Sequence, residues 1–153
     1  MALLFAFLVG VFAGLRSLTP AASTAWAARL GWLRLPHQLA WIGATPLVVT
    51  FSLAALAELM LDKLPNAPSR TAPPGLLARI ILGGLTGACV ATAGGSGPDP
   101  GIVVGGVGGV VGCFGGYEAR VRLVKALGTP DFVVALLEDF VAIGGSLWVL
   151  SRF

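Results

Sequence analysis

The stretch Gly101-Ile102-Val103-Val104-Gly105-Gly106-Val107-Gly108-Gly109-Val110-Val111-Gly112-Cys113-Phe114-Gly115-Gly116 decides how this chain must fold. It carries no charge, and its glycines fall in two rows of period four: Gly101, Gly105, Gly109 and Gly108, Gly112, Gly116. A helix over these positions presents two faces of small residues. In water each interior glycine costs a helix about 1 kcal/mol relative to alanine. In a bilayer the backbone has no other way to satisfy its hydrogen bonds, so the helix holds, and the small faces let neighbouring backbones approach. Gly83, Gly87 and Ala91 repeat the spacing on the preceding apolar segment. The two segments are expected to pack through these rows, either within one fold or across a homodimer seam.

Composition agrees with a membrane setting. Of 153 residues, 56% are hydrophobic and 11% charged, where a soluble domain carries about 25% charged residues; the mean hydropathy is +0.90. The net charge of +3 comes from basic residues at the ends of apolar runs, where they set topology, and not from a patch that would grip nucleic acid. Cys89 and Cys113 lie in separate apolar segments with no CxxC pattern, and His37 is the sole histidine. Free thiols are expected, with no metal site and no cofactor. Residues 1–14 look like a signal peptide with Ala25-Trp26-Ala27 as a cleavage site, but they lack its positive leading segment, so they are expected to stay as a membrane helix.

The fold expected is all-α and polytopic: one integral membrane domain over 1–153 with about five transmembrane helices and a re-entrant or interfacial half-helix. The first helix covers 2–18 and is broken by Pro20. Residues 21–33 are too short and polar to span alone and form the half-helix; Trp26, Trp32 and Trp41 suit an aromatic belt. The second helix covers 38–64, with Pro46 as a kink. A loop over 65–74 carries Pro65, Pro68, Pro73, Pro74 and Arg70. The third helix covers 75–93, the fourth 101–116 with a polar extension over 117–127, and the fifth runs from Pro130 to 151, with Thr129 as N-cap. Lys63, Arg70 and Arg79 on one connection, and Arg120, Arg122 and Lys125 on another, place the N-terminus in the cytoplasm and the C-terminus outside; Arg29 and Arg34 oppose this.

Gly10-Val11-Phe12-Ala13-Gly14 and Gly112-Cys113-Phe114-Gly115-Gly116 share Gly-x-Phe-x-Gly, and each precedes a helix holding a glutamate, Glu58 or Glu138. Halves 1–93 and 101–153 are then candidate inverted repeats, the arrangement that sets transporter sites at the midplane. Chance recurrence is the alternative in a chain with 22 glycines.

Ionisable groups inside such segments cost about 2.5–3.5 kcal/mol on insertion scales and are functional candidates for that reason. At the break Arg16-Ser17-Leu18-Thr19-Pro20, the proline frees the carbonyl of Arg16, Ser17 and Thr19 re-satisfy exposed groups, and the half-helix that follows offers a positive amino end. An anionic ligand could dock there with Arg16; the reading favoured over it pairs Arg16 with a carboxylate of the chain, which neutralises both. Glu58 and Asp62 share a helical face at i, i+4 and repel, which suits a proton carrier or cation ligand, unless Lys63 simply pins Asp62 at the interface. Glu138 and Asp139 point about 100° apart, so only one faces the centre squarely. Asp131 reads as a first-turn acid favoured by the helix dipole, and Glu118 with Arg120 as a mixed pair or a solvated helix end.

The phrases GVFAGLRSLTPAASTAWAARLGWL, ALAELMLDKLPNAPSRT and GGYEARVRLVKALGTPDFVVALLEDFVAIGG resemble an uncharacterised family of small bacterial integral membrane proteins, classed as a domain of unknown function. The resemblance covers nearly the whole chain. It implies a helical membrane fold in a bacterial cytoplasmic membrane and no assigned activity. The expectation carried forward is a small, proton- or cation-coupled transporter or channel. Arg16, Glu58 and Glu138 would stand at its polar centre, the two glutamates exchanging protons or a cation and the Arg16–Pro20 break binding the anionic part of a substrate. Ser17, Thr19, Asp62, Glu118, Arg120 and Asp139 are the further binding or coupling candidates, and a small ion or anionic molecule would be its partner. The alternatives are a structural or assembly protein whose charges fix packing, and an enzyme acting on lipid-linked substrate.

Overall fold

The computed structural model describes residues 1–62 and 71–153, and every regular element among them is helical. In order these are α1 (Ala2–Leu15), α2 (Leu18–Arg29), α3 (His37–Ala40) with a 3₁₀ turn (Trp41–Gly43), α4 (Thr45–Leu61), α5 (Pro73–Ala93), α6 (Pro98–Leu127) and α7 (Asp131–Leu150). The chain is a polytopic helical membrane protein: α5, α6 and α7 are each long and apolar enough to cross a bilayer. The pair His37–Gly43 and Thr45–Leu61, bent by 53°, makes a fourth crossing if it counts as one span.

The expected first helix divides earlier than its proline suggests. The chain leaves helical geometry at Arg16 (φ −137°, ψ 109°), and Pro20 lies inside the first turn of α2, where its missing N–H costs nothing. The kink expected at Pro46 sits instead at Ala44 (ψ 141°), and Pro46 belongs to the first turn of the new helix. Pro73 and Pro74 likewise start α5 and are not loop. The polar extension over 117–127 continues α6 without a break, to Gly128, whose φ of 59° ends the helix in the left-handed region. Thr129 does not cap α7; Pro130 takes that position. Lys63, Pro65, Pro68 and Arg70 lie outside the described residues.

The glycine rows are spent within one chain. Gly101, Gly105 and Gly109 of α6 face α5, and Gly108 and Gly112 face α1. A Cβ on Gly105 would stand 2.2 Å from the Gly83 carbonyl oxygen, and one on Gly112 2.0 Å from that of Val11. Backbone therefore touches backbone, and α1, α5 and α6 form the tightest part of the molecule. By contrast α4 packs mainly on α2 and on the turn before it.

These contacts also fix direction. Gly10 meets Gly105 and Gly14 meets Gly109 and Gly112, so α1 and α6 run parallel. That removes the opposed orientation an inverted repeat of these two segments would need. Phe5 packs edge-on against Trp148 and Phe153, and Gly94 abuts Ala2 and Phe153. Both chain termini thus lie at one end, here the terminal end, and not on opposite sides. The reason is α2: it turns back beside α1, and Trp32, beyond its end, lines one cavity with Leu150 and Phe153 of the terminal end. At about 1.5 Å per residue the 14 residues of α1 extend about 21 Å, short of the ~30 Å hydrocarbon core. Helices α1 and α2 together form a re-entrant hairpin that enters from the terminal end and returns.

Candidate functional site

The hairpin tip, Leu15 to Leu18, is where the buried charges meet. Asp139 of α7 contacts Arg16 there and lies 11 residues (150 − 139) from the terminal-end residue Leu150. At about 1.5 Å per residue that is some 16 Å, close to the middle of a ~30 Å hydrocarbon layer. A chain reversal at such depth exposes the last carbonyls of α1 and the first N–H groups of α2 where no water can pair them. The structure satisfies them from other helices.

Glu58 of α4 serves the amino end of α2. Its carboxylate accepts from the backbone N–H of Ser17 (2.9 Å) and Leu18 (2.9 Å) and from the Ser17 hydroxyl (2.5 Å). A full negative charge on the positive end of the helix dipole, with charge-assisted hydrogen bonds, is a favourable placement. The anion slot expected at this break is thus filled by a carboxylate of the protein. On the other side of the tip Arg79 of α5 donates through Nε to the Gly14 carbonyl (3.0 Å) and through a terminal nitrogen to Gly75 (3.0 Å), closing the carboxyl end of α1.

Arg16 itself is fully buried. One terminal nitrogen donates to Asp62 of α4, and the other lies 2.6 Å from Asp139 of α7. Its Nε has no hydrogen-bond partner among the described residues, and neither does the buried hydroxyl of Thr19. One guanidinium therefore faces two carboxylates held by different helices. A second arginine organises the outer ring: Arg120 grips Asp131 with both fork nitrogens (2.7 and 2.5 Å) and lies 3.5 Å from Glu138.

Of the residues expected at a polar centre, the structure gathers Arg16, Ser17, Thr19, Glu58, Asp62 and Asp139 at the tip, and Arg120 and Glu138 beside it. Both acids of the 138–139 pair find an arginine, because their 100° offset aims them at different ones. Glu118 does not join: it pairs with Arg122 one turn on, on an exposed face, and Arg120 pairs elsewhere. Asp131 reaches Arg120 as well as lying in the first turn of α7. Arg79 was legible only as a topology charge. Its signal was its place inside an apolar helix, one turn after Gly75, rather than at the end of one.

The architecture defines a class: helical membrane proteins in which a re-entrant hairpin presents a helix break to a buried acid–arginine network. The chain matches the family model described as Domain of unknown function (DUF4126) over residues 3–151, and it belongs to that family. Neither the curated proteins nor the solved structures contain a match.

Proposed function

We propose that this protein is a small ion-coupled carrier of the bacterial cytoplasmic membrane, with its coupling centre at the tip of the α1–α2 hairpin. The observation that carries this reading is the fully buried Arg16 at a helix break, shared between Asp62 and Asp139. One positive charge against two negative ones leaves room for a single proton or monovalent cation, and a charge at this depth is expensive without a use. Arg16, which ends α1, ties Asp62 on α4 to Asp139 on α7, while α4 rests mainly on α2 and not on the glycine-packed helices. Occupation of either carboxylate by a proton or cation competes with Arg16 and loosens that tie. The basic residues and the family resemblance support the cytoplasmic membrane of a bacterium as its location.

The test is flux through purified protein in liposomes under imposed proton and sodium gradients. Wild-type protein dissipates one of the gradients; Asp139→Asn and Glu58→Gln lose this activity, and Glu118→Gln keeps it. Unchanged flux in Asp139→Asn and Glu58→Gln removes the tip from transport.

A structural role is the second reading, favoured by one feature: Glu58, Asp62, Glu138 and Asp139 each meet an arginine or the α2 amino end. Under that reading wild-type liposomes leak no faster than empty ones, while the same variants lose stability.

A further inference from the structure

The end of the bundle where α2 and α7 finish holds a second set of charges, disposed in the opposite way from those at the tip. Arg16, Arg120 and Arg122 each meet a carboxylate, and Arg79 is held by backbone carbonyls. Arg29, Arg34 and Arg152 have no ion-pair partner among the described residues, although Arg29 donates to the Thr45 hydroxyl (2.8 Å). All three lie at the terminal end: Arg29 closes α2, Arg34 follows the buried Leu33, and Arg152 follows α7. Asp99, in the first turn of α6, is the one acidic side chain there among the described residues. Three positive side chains against one negative leave this end at +2 (3 − 1).

Between the loop after α2 and the end of α7 lies a cavity of about 370 Å³, lined by Trp32, Leu150, Ser151 and Phe153. That is within the range of about 300–1,000 Å³ usual for small-molecule sites. Two of the unpaired arginines flank it. Arg152 stands between the lining residues Ser151 and Phe153, and Arg34 two positions after Trp32, so each Cα is within about 7 Å of a lining Cα. The aromatic wall is held in place: Phe5 packs edge-on against Trp148 (6.1 Å) and Phe153 (5.7 Å), and the Arg152 guanidinium rests 4.7 Å from the centre of the Trp148 ring. A guanidinium stacked on an aromatic face keeps its N–H fork available to an anion. Leu150 is fully buried, whereas Trp32 and Ser151 are exposed, so the cavity has an apolar floor and an open rim bearing a hydroxyl.

We infer that this cavity seats the headgroup of an anionic phospholipid. Its phosphate lies toward Arg34 and Arg152, and its glycerol and first methylenes lie against Trp32, Leu150 and Phe153. A basic pocket between helices at one edge of the bilayer is an arrangement that holds acidic headgroups, and arginine offers a phosphate two parallel donors. The apolar floor favours a lipid over a soluble anion, which has no hydrocarbon to place there. The positive balance favours an acidic headgroup over a zwitterionic one, whose own cation would meet +2. The site lies at the end of α7 away from the hairpin tip, so it stands or falls apart from the carrier reading.

The test counts lipids retained by the full chain in neutral detergent, by native mass spectrometry, as phosphatidylglycerol or phosphatidylcholine of the same acyl chains is added. Wild-type protein is expected to hold a phosphatidylglycerol at a concentration at least about tenfold below that needed for phosphatidylcholine. Arg34→Gln and Arg152→Gln should each raise that concentration about fivefold, the worth of one basic residue at a headgroup. Ser151→Phe fills the cavity without changing charge and should weaken retention at least as much. Lys125→Gln removes an exposed cation at the other end of α6 and should leave retention unchanged. Thermal midpoints check folding; if Arg152→Gln fails to fold, having bared Trp148, then Arg34→Gln and Ser151→Phe decide the matter. Equal retention of the two lipids overturns the site. Retention untouched by Ser151→Phe shows a diffuse surface attraction, which overturns the cavity as its seat. Glycerol phosphate that displaces the lipid at similar concentration shows a site for free anions and overturns the lipid.

Discussion

Replacing Arg16 with glutamine tests the centre most directly. The side chain is fully buried, and its two carboxylate partners differ: Asp62 is 26% exposed and Asp139 10%. With the guanidinium gone, both carboxylates lose their partner, and Asp139, the more buried of the two, is left as an uncompensated charge at membrane depth. Removing one partner of a buried pair costs about 3–5 kcal/mol, and the lower end, about 3 kcal/mol, sets the expected loss. For a chain of this length each kcal/mol moves the thermal midpoint by about 2–4 °C, so a fall of about 6–12 °C follows. The double variant Arg16→Gln, Asp139→Asn removes the orphan charge and should recover at least about 2 kcal/mol of the loss. Tryptophan fluorescence against temperature, in detergent at fixed pH, reads both. A midpoint shift under 2 °C for Arg16→Gln, or no recovery in the double variant, refutes the claim that Asp139 depends on Arg16.

Other consequences are as sharp. Glu58→Gln keeps the shape of the cap on α2 but loses its charge and one acceptor oxygen, which should cost about 1–3 kcal/mol by the same thermal measurement. Gly112→Ala sets a methyl 2.0 Å from the Val11 carbonyl oxygen and should cost about 1–3 kcal/mol or more. Gly115→Ala meets nothing within 4 Å and should stabilise by up to about 1 kcal/mol through helix propensity; equal effects at the two sites contradict the packing described. Arg122→Ala breaks an ion pair whose side chains are 76% and 55% exposed, and should leave the midpoint unmoved. Reporter tags fused to the two ends of the chain should appear on the same side of the membrane, and opposite sides would sink the hairpin topology.

What could be read from the chain follows from one-dimensional physics. An apolar run long enough to cross a bilayer must be helical, because lipid offers its backbone no partner, so α5, α6 and α7 were legible almost to their ends. The period-four glycines announced close packing, and the charges in apolar runs announced a polar centre. Arg16, Glu58 and Glu138 stand out on that ground alone, since burying a charge is costly wherever it lands, whereas the neighbour of Glu138, Asp139, is the acid that meets Arg16.

Partners and direction were decided in three dimensions. Nothing local to Glu58 says that it caps α2, since its partners Ser17 and Leu18 lie 41 and 40 positions away. Nothing near Arg16 selects Asp139 rather than Glu138, a choice made by the rotation of α7 against α1. Pro20 stands four residues past the break at Arg16 (20 − 16), because proline tolerates the first turn of a helix and so marks a start as readily as a stop. That small shift turned one expected crossing into a hairpin, reversed the side on which the chain ends, and set α1 parallel to α6. The sequence by itself determined which residues must be buried and that they would form membrane helices. Only tertiary packing decided which carboxylate meets which arginine, because hydrophobic periodicity fixes the face of a helix but not the neighbour that face will find.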